Sequence, residues 1–112
     1  TGIRDYIHVM DLAEGHLKAL EFLINEKPQI CSINLGTGIG TSVLELIKTF
    51  EKINKVKIPY VFTCRRKGDN GFVVADNTLA KSTLSWIPKM TIENMCRDGY
   101  LWQINNPNGY LK

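Results

Sequence analysis

The sequence feature that most restricts the fold is the run GTGIG at residues 36–40, which places three glycines within five positions. Residues 30–35 come before it and predict a short strand. Ser42 and Glu45 follow it with the spacing of a capping box, in which each side chain bonds to the other residue's backbone N–H at the start of a helix. A loop this rich in glycine allows backbone angles that other residues avoid. We therefore expect a strand, a tight turn and a helix in direct succession.

Strand-like and helical segments alternate along the rest of the chain. Further strands are predicted at residues 3–9, 56–63 and 72–75. The second of these is expected at a sheet edge, because Pro59 has no backbone N–H to donate to a neighbour. Strands that alternate with helices are typical of the α/β class. The predicted fold is therefore α/β, with a small sheet and flanking helices.

Polar residues ahead of the helical periodicity mark where each helix begins. Asp11, with Glu14 three residues later, predicts the cap of a helix that runs to about residue 25. Asp76 predicts the cap of a short helix that ends near residue 84. Thr91 predicts the start of the last helix, which residues 105–109 end. Gly15 lies inside the first helix, where glycine costs about 1 kcal/mol relative to alanine, and this indicates close packing against a neighbouring backbone.

Composition and charge are those of one soluble globular domain rather than a membrane protein or a nucleic-acid binder. Hydrophobic residues make up 44% and charged residues 22% of the 112 positions. No apolar run approaches the roughly 20 residues needed to cross a membrane. The net charge of +3 is weak for a nucleic-acid partner. The three cysteines, Cys31, Cys64 and Cys96, lack the spacing of a metal site and predict reduced thiols in a cytoplasmic protein.

The glycine run invites a dinucleotide-binding interpretation that its surroundings do not support. The fingerprint needs a third glycine where this chain has Thr41, and an acidic residue about 20 positions later. Residues 59–62, at that distance, contain no acid. We therefore expect the run to be a structural turn, and we assign no cofactor-binding residue to this chain.

The turn at residues 65–71 is the stronger candidate for a binding site. Arg65 and Arg66 precede a flexible glycine, and each guanidinium can donate two hydrogen bonds to a phosphate group. Asp69 follows them, and a carboxylate suits ribose hydroxyls. Arg4 is a second, isolated arginine among apolar residues. Charge runs on turns are usually solvated surface, so the hypothesis requires that the cations converge on one anion.

Residues for catalysis are missing from the sequence patterns. No tyrosine is followed by lysine four positions later, and neither a Gly-x-Ser-x-Gly elbow nor a P-loop is present. His8 lies between Ile7 and Val9, a setting typical of a packed, hydrogen-bonded histidine. We therefore assign no catalytic residue to this chain, and no metal ligand.

The motifs at residues 4–16 (RDYIHVMDLAEGH) and 65–69 (RRKGD) together resemble the C-terminal part of the UDP-glucose 4-epimerase family. The segments at residues 34–38, 42–45 and 106–110 agree with that family in the same register. The resemblance covers essentially the whole chain. The family belongs to the extended short-chain dehydrogenases, so the resemblance implies the substrate-binding subdomain of that fold.

The resemblance implies that residues 1–112 form the UDP-sugar-binding C-terminal domain. The N-terminal domain, with bound NAD and the Ser and Tyr-x-x-x-Lys catalytic group, would lie outside this chain. Arg4 would meet the diphosphate with Tyr6 beside it, Arg66 would be the second diphosphate ligand, and Asp69 would take the uridine ribose. The complete enzyme would be a cytoplasmic homodimer that interconverts UDP-glucose and UDP-galactose in galactose metabolism. This chain alone would bind no NAD and would be inactive.

One position departs from the family pattern. Four residues after Asp69 many bacterial members have tyrosine and others cysteine, lining the sugar pocket, whereas this chain has Val73. Valine is smaller than tyrosine and leaves room near the hexose. We therefore predict that the complete enzyme also accepts N-acetylated sugars such as UDP-GlcNAc.

Two alternatives remain at this point. One is the C-terminal part of a related nucleotide-sugar epimerase or dehydratase. The other is a free-standing basic module that uses the turn at residues 65–71 to bind nucleic acid or a protein partner. The motif at residues 4–11 and the ending at residues 106–110 favour the UDP-glucose 4-epimerase. The weak net charge already disfavours nucleic acid.

Overall fold

A computed structural model describes residues 1–110 and contains a three-stranded sheet with four helices. The strands are very short: β1 (Ile3–Arg4), β2 (Thr41–Ser42) and β3 (Phe72–Val73). The helices are α1 (Val9–Asn25), α2 (Val43–Asn54), α3 (Thr78–Leu84) and α4 (Ile92–Asn105). The prediction of an α/β fold with a small sheet is confirmed.

Strand β1 is the centre of the sheet, whose order is β2-β1-β3. It pairs antiparallel with β2 and parallel with β3. In the parallel pair Ile3 lies opposite Phe72 and Arg4 lies opposite Val73. The Ile3 backbone N–H donates to the Gly71 carbonyl oxygen at 2.8 Å, which ties β1 to the basic turn. Two segments nearly 70 residues apart in sequence therefore meet at Arg4.

Two predicted strands are wrong. Residues 30–35 and 56–63 run without regular secondary structure. Neither segment joins the sheet, whose order is β2-β1-β3. Ile33 and Leu35 pack against the buried core, whereas Ile30 is fully exposed. The apolar pattern of residues 30–35 therefore reflects partial packing against the core rather than strand pairing. The strand predicted at residues 3–9 is likewise shorter than expected, since it ends at Arg4.

Two predicted helix starts are confirmed and two were misplaced. Ser42 and Glu45 form the expected capping box, and Thr91 caps α4 with Asn94 as its partner. Helix α1 begins at Val9, with His8 rather than Asp11 as its N-cap. Helix α3 begins at Thr78, after Asn77, so the Asp76 cap prediction is displaced by one residue.

Asp11 was mistaken for a cap because its partners lie far away in sequence. Its carboxylate Oδ2 accepts hydrogen bonds from the backbone N–H groups of Met90 at 2.8 Å and Lys89 at 3.1 Å. Its backbone carbonyl accepts from the Trp86 indole Nε1–H at 3.0 Å. Glu14, the expected capping partner, binds the Lys89 ammonium at 2.8 Å. Asp11 therefore joins α1 to the segment between α3 and α4.

The fully buried core is small and lies between α1 and α3. It consists of Ala80, Leu84 and Trp86, with Ile7, Ala19, Phe22, Ile33 and Leu35 packed around it. A second contact joins α2 to α4, where the rings of Phe50 and Tyr100 meet edge to face with centroids 5.5 Å apart. The two contacts are separate, so the chain folds around two small apolar clusters rather than one large one.

Much apolar surface stays exposed on α1. Its exposed apolar side chains are Val9, Met10, Leu17, Leu20, Leu23 and Ile24. The radius of gyration of 17.0 Å exceeds the about 13 Å of a compact domain of this size. Within residues 1–110, no helix has the length and apolar character needed to cross a membrane. The exposed apolar face of α1 is large enough to mark an interaction surface.

Gly15 is closely packed, but against the side chains of Leu35 and Trp86 rather than the neighbouring backbone that was expected, and it provides a test of the core. A Cβ atom at this position would lie 2.9 Å from Leu35 Cδ1 and 3.2 Å from Trp86 Cε2. Overpacking costs about 1–3 kcal/mol, which outweighs the about 1 kcal/mol that alanine adds to helix stability. We expect Gly15→Ala to lower the free energy of unfolding by about 1 kcal/mol, measured by urea denaturation.

Gly99 in α4 is the matched control. A Cβ atom there meets nothing within 4 Å, so Gly99→Ala should raise the free energy of unfolding by up to about 1 kcal/mol. If both variants change stability in the same direction, the packing role of Gly15 is wrong.

Candidate functional site

The glycine turn at residues 36–40 is organised by the carboxylate of Asp5. The backbone N–H of Thr37 donates to Oδ1 at 2.9 Å, and the Thr37 hydroxyl donates to the same oxygen. The backbone N–H groups of Gly38 and Ala75 donate to Oδ2 at 2.8 and 3.3 Å. One side chain thus joins the end of β1 to the glycine turn and to the residues after β3.

Close packing explains the glycine at the start of the turn. A Cβ atom at Gly36 would lie 2.5 Å from the Ala75 Cβ and 2.7 Å from the Asp5 carboxylate. Gly38 has a φ of 75°, which side-chain-bearing residues rarely adopt. The N–H groups that could hold a phosphate are already bonded to Asp5. The turn therefore does not fit the pyrophosphate of NAD.

Arg4, Arg66 and Asp69 lie together, as the sequence hypothesis required. Arg4 Nη2 donates to Asp69 Oδ1 at 2.7 Å. Arg66 Nη2 lies 3.7 Å from Asp69 Oδ2, and its side chain is 86% exposed. The two guanidiniums therefore converge on one carboxylate, each from a different segment of the chain. An arrangement that holds an anionic oxygen pair between two cations is suited to a diphosphate.

A cavity of about 420 Å³ lies beside this cluster. Arg4 and Val73 line it from neighbouring strands, and Asp5, Asn34 and Asp76 add further polar side chains to its lining. Val73 is about half exposed, so a bound molecule can reach its side chain. The hydroxyl and backbone N–H of Thr78 hold the pKa of Asp76 below its usual value, so this carboxylate stays charged at neutral pH. The cavity thus combines one apolar wall with charged and amide groups.

Tyr6 lines a different cavity, with Thr37, Asn77 and the segment that leads into α4. Arg4 and Arg66 both face Asp69, and Arg4 lies opposite Val73 in the neighbouring strand. The role of Tyr6 next to a diphosphate stays a prediction.

His8 has a structural position, as expected from its apolar neighbours. Its side chain is buried, and Nδ1 accepts the backbone N–H of Met10 at 3.1 Å. Because Nδ1 accepts, Nε2 carries the proton and faces Asp98 Oδ2 at 3.2 Å. The Arg97 guanidinium, and secondarily His8, hold the pKa of Asp98 below its usual value. His8 therefore links α1 to α4.

Comparisons with known proteins place this chain in a family. No family model matches the chain. The UDP-glucose 4-epimerase of Bacillus subtilis (strain 168) is 52% identical over 110 residues, which are 98% of this chain and 32% of that protein. The chain belongs to the UDP-glucose 4-epimerase family, as a C-terminal piece. It spans about a third of the length of the curated relatives that it matches.

Solved structures of UDP-glucose 4-epimerases agree with this assignment. The enzyme from Bifidobacterium longum, crystallised in complex with NAD+ and UDP, has a TM-score of 0.90 at 44% identity, over 98% of this chain and 32% of that one. The UDP-Glc/GlcNAc 4-epimerase from Campylobacter jejuni has a TM-score of 0.81 at 33% identity, over 94% of this chain and 32% of that one. The resemblance read from the motifs at residues 4–16 and 65–69 is confirmed.

Sequence reasoning missed Asp5, the residue with the most bonds in this part of the epimerase piece. The sequence indicated the role of Asp5 only indirectly. The glycine turn exposes several N–H donors, and such donors require an acceptor when they are partly buried. Nothing in the local sequence indicates that the acceptor lies more than 30 residues earlier. Asp5 therefore supports the site but does not bind the two arginines.

Asp5→Asn tests this supporting role. An amide has one acceptor oxygen, so its NH₂ group would face the N–H of either Thr37 or Gly38. Hydrogen bonds to a charged group contribute about 1.5–3 kcal/mol, so we expect the free energy of unfolding to fall by about 2 kcal/mol. Urea denaturation measures the change. Thr37→Val removes one hydroxyl bond and keeps the backbone N–H, so it should cost less. An equal or larger loss in Thr37→Val would contradict the assignment.

Proposed function

We propose that this chain is the UDP-sugar-binding part of an NAD-dependent UDP-glucose 4-epimerase that interconverts UDP-glucose and UDP-galactose. The observation that carries the proposal is the convergence of Arg4 and Arg66 on Asp69, next to a cavity lined by Val73. Family membership supplies the reaction, and this cluster supplies the groups that a nucleoside diphosphate needs.

Each residue of the cluster has a role that its chemistry supports. Arg4 and Arg66 would donate to the diphosphate oxygens, since a guanidinium fork matches that geometry. Asp69 would accept from the uridine ribose hydroxyls. Val73 would face the hexose. Tyr6 would bind beside the diphosphate, as the family resemblance implies.

The redox chemistry of the interconversion belongs to NAD, bound by a part of the enzyme outside this chain. Bound NAD would accept the hydride from C4 of the sugar while the catalytic group outside this chain takes the proton of the 4-hydroxyl, and both would be returned after the sugar has turned. The role of this chain is to hold the UDP in place while the sugar turns. By itself the chain would be inactive, because it contains no Tyr-x-x-x-Lys pair.

The exposed apolar face of α1 supports a further part of the proposal. Leu17, Leu20 and Ile24 are exposed there, and such a face requires a covering partner. We assign the NAD-binding domain as that partner, in a cytoplasmic homodimer that acts in galactose metabolism. A basic module for nucleic acid is the weaker proposal, because the net charge is only +3.

Isothermal titration with UDP tests the diphosphate site in the full-length protein that carries this chain. Arg66→Ala should weaken UDP binding at least about tenfold, since bonds between charged groups contribute about 1.5–3 kcal/mol. Lys57→Ala removes one positive charge from an exposed position elsewhere and should leave UDP binding unchanged. Salt-sensitive RNA binding with no UDP binding would support the basic module instead.

Substrate choice tests the role of Val73. The full-length enzyme should epimerise UDP-GlcNAc as well as UDP-glucose, because valine leaves room for the acetyl group. Val73→Tyr should reduce kcat/KM for UDP-GlcNAc at least about tenfold, the effect of a steric clash of about 1.4 kcal/mol or more, and change UDP-glucose little. Coupled assays on both substrates measure the ratio. No activity of the unaltered enzyme on UDP-GlcNAc would refute the prediction.

A further inference from the structure

Asp69 pairs with both Arg4 and Arg66. Its two carboxylate oxygens face different cations: Oδ1 accepts from Arg4 at 2.7 Å and Oδ2 lies 3.7 Å from Arg66. The turn itself holds the carboxylate in place, because the Asp69 backbone N–H donates to the Arg66 carbonyl oxygen at 3.2 Å. The carboxylate of Asp69 thus partly neutralises the two guanidiniums that would bind a diphosphate.

An incoming anion must therefore compete with this carboxylate. Binding of an anion draws the guanidiniums away from Asp69 and brings two negative groups close to one another, which is unfavourable. The cost falls when the ligand also gives Asp69 new hydrogen-bond donors. Neighbouring ribose hydroxyls are such donors, whereas inorganic pyrophosphate has none to offer in its fully ionised form.

We propose that Asp69 is an internal competitor that makes diphosphate binding depend on an attached ribose. The ion pair with Arg4 and Arg66 lowers affinity for phosphates that lack a sugar, and the ribose compensates by replacing the arginines as partner of Asp69. This inference rests on the proposed function of the site, since it concerns selectivity within it. Asp69 is then a specificity-determining residue.

The test compares UDP with inorganic pyrophosphate by isothermal titration in the full-length protein. Asp69→Asn removes the charge and keeps the size of the side chain. Loss of one partly exposed charge contact changes affinity about fivefold, so pyrophosphate should bind about fivefold tighter to the variant. UDP should bind more weakly or equally well. The preference for UDP over pyrophosphate should therefore fall at least about fivefold.

Two further variants control the measurement. Glu21→Gln breaks a comparable surface pair, Lys18 with Glu21 at 2.8 Å, and removes the same charge far from the arginines. It should leave both affinities unchanged, which separates the local pair from the net charge. Asp69→Ala should repeat the gain for pyrophosphate if the asparagine variant does not fold.

The outcomes separate this inference from the function on which it rests. Unaltered protein that binds UDP, combined with pyrophosphate affinity that falls or stays constant in both Asp69 variants, would overturn the competitor role alone. Asp69 would then only hold the arginines in position. Unaltered protein that binds no UDP would overturn the proposed function together with this inference.

Discussion

The arrangement of the candidate site depends on the carboxylate of Asp5. Strand β1 has only two residues, so backbone pairing alone gives it little stability. Asp5 follows it directly and binds the turn at residues 36–40 on one side and Ala75 on the other. These bonds reinforce the registers of β1 with β2 and β3. Arg4 lies opposite Val73 because these registers hold, so the shape of the cavity depends on a residue that does not bind the arginines.

How well the sequence predicted the structure depends on whether an interaction is local or long-range. The cap formed by Ser42 and Glu45 lies within four residues and was read correctly. Asp11 has the same sequence signature, yet its carboxylate serves Lys89 and Met90, nearly 80 residues away. A local pattern cannot distinguish a side chain that caps its own helix from one that binds a distant segment. The two strands that proved wrong have the same cause, since an apolar local pattern does not show whether a segment finds a partner strand in the sheet.

The candidate site was likewise predicted only in part. Arg4, Arg66 and Asp69 were chosen from motif chemistry, and the parallel pairing of β1 with β3 brings them together. The place of Tyr6 beside the diphosphate follows from the family resemblance and not from any local pattern. Strand β1 ends at Arg4, and Tyr6 lines a different cavity from the one that Arg4 lines. Its role therefore stays a prediction.

Polar side chains near the start of the chain position distant segments. The side chains of Asp5, His8 and Asp11 each join the first 11 residues to a distant segment. Hydrogen bonds fix relative orientation more sharply than apolar contact, because they require defined distances and angles. Such a framework can keep Arg4 aligned with the cavity although the buried cluster of Ala80, Leu84 and Trp86 is small. Positioning of the site therefore depends on polar side chains, while many apolar side chains of α1 stay exposed.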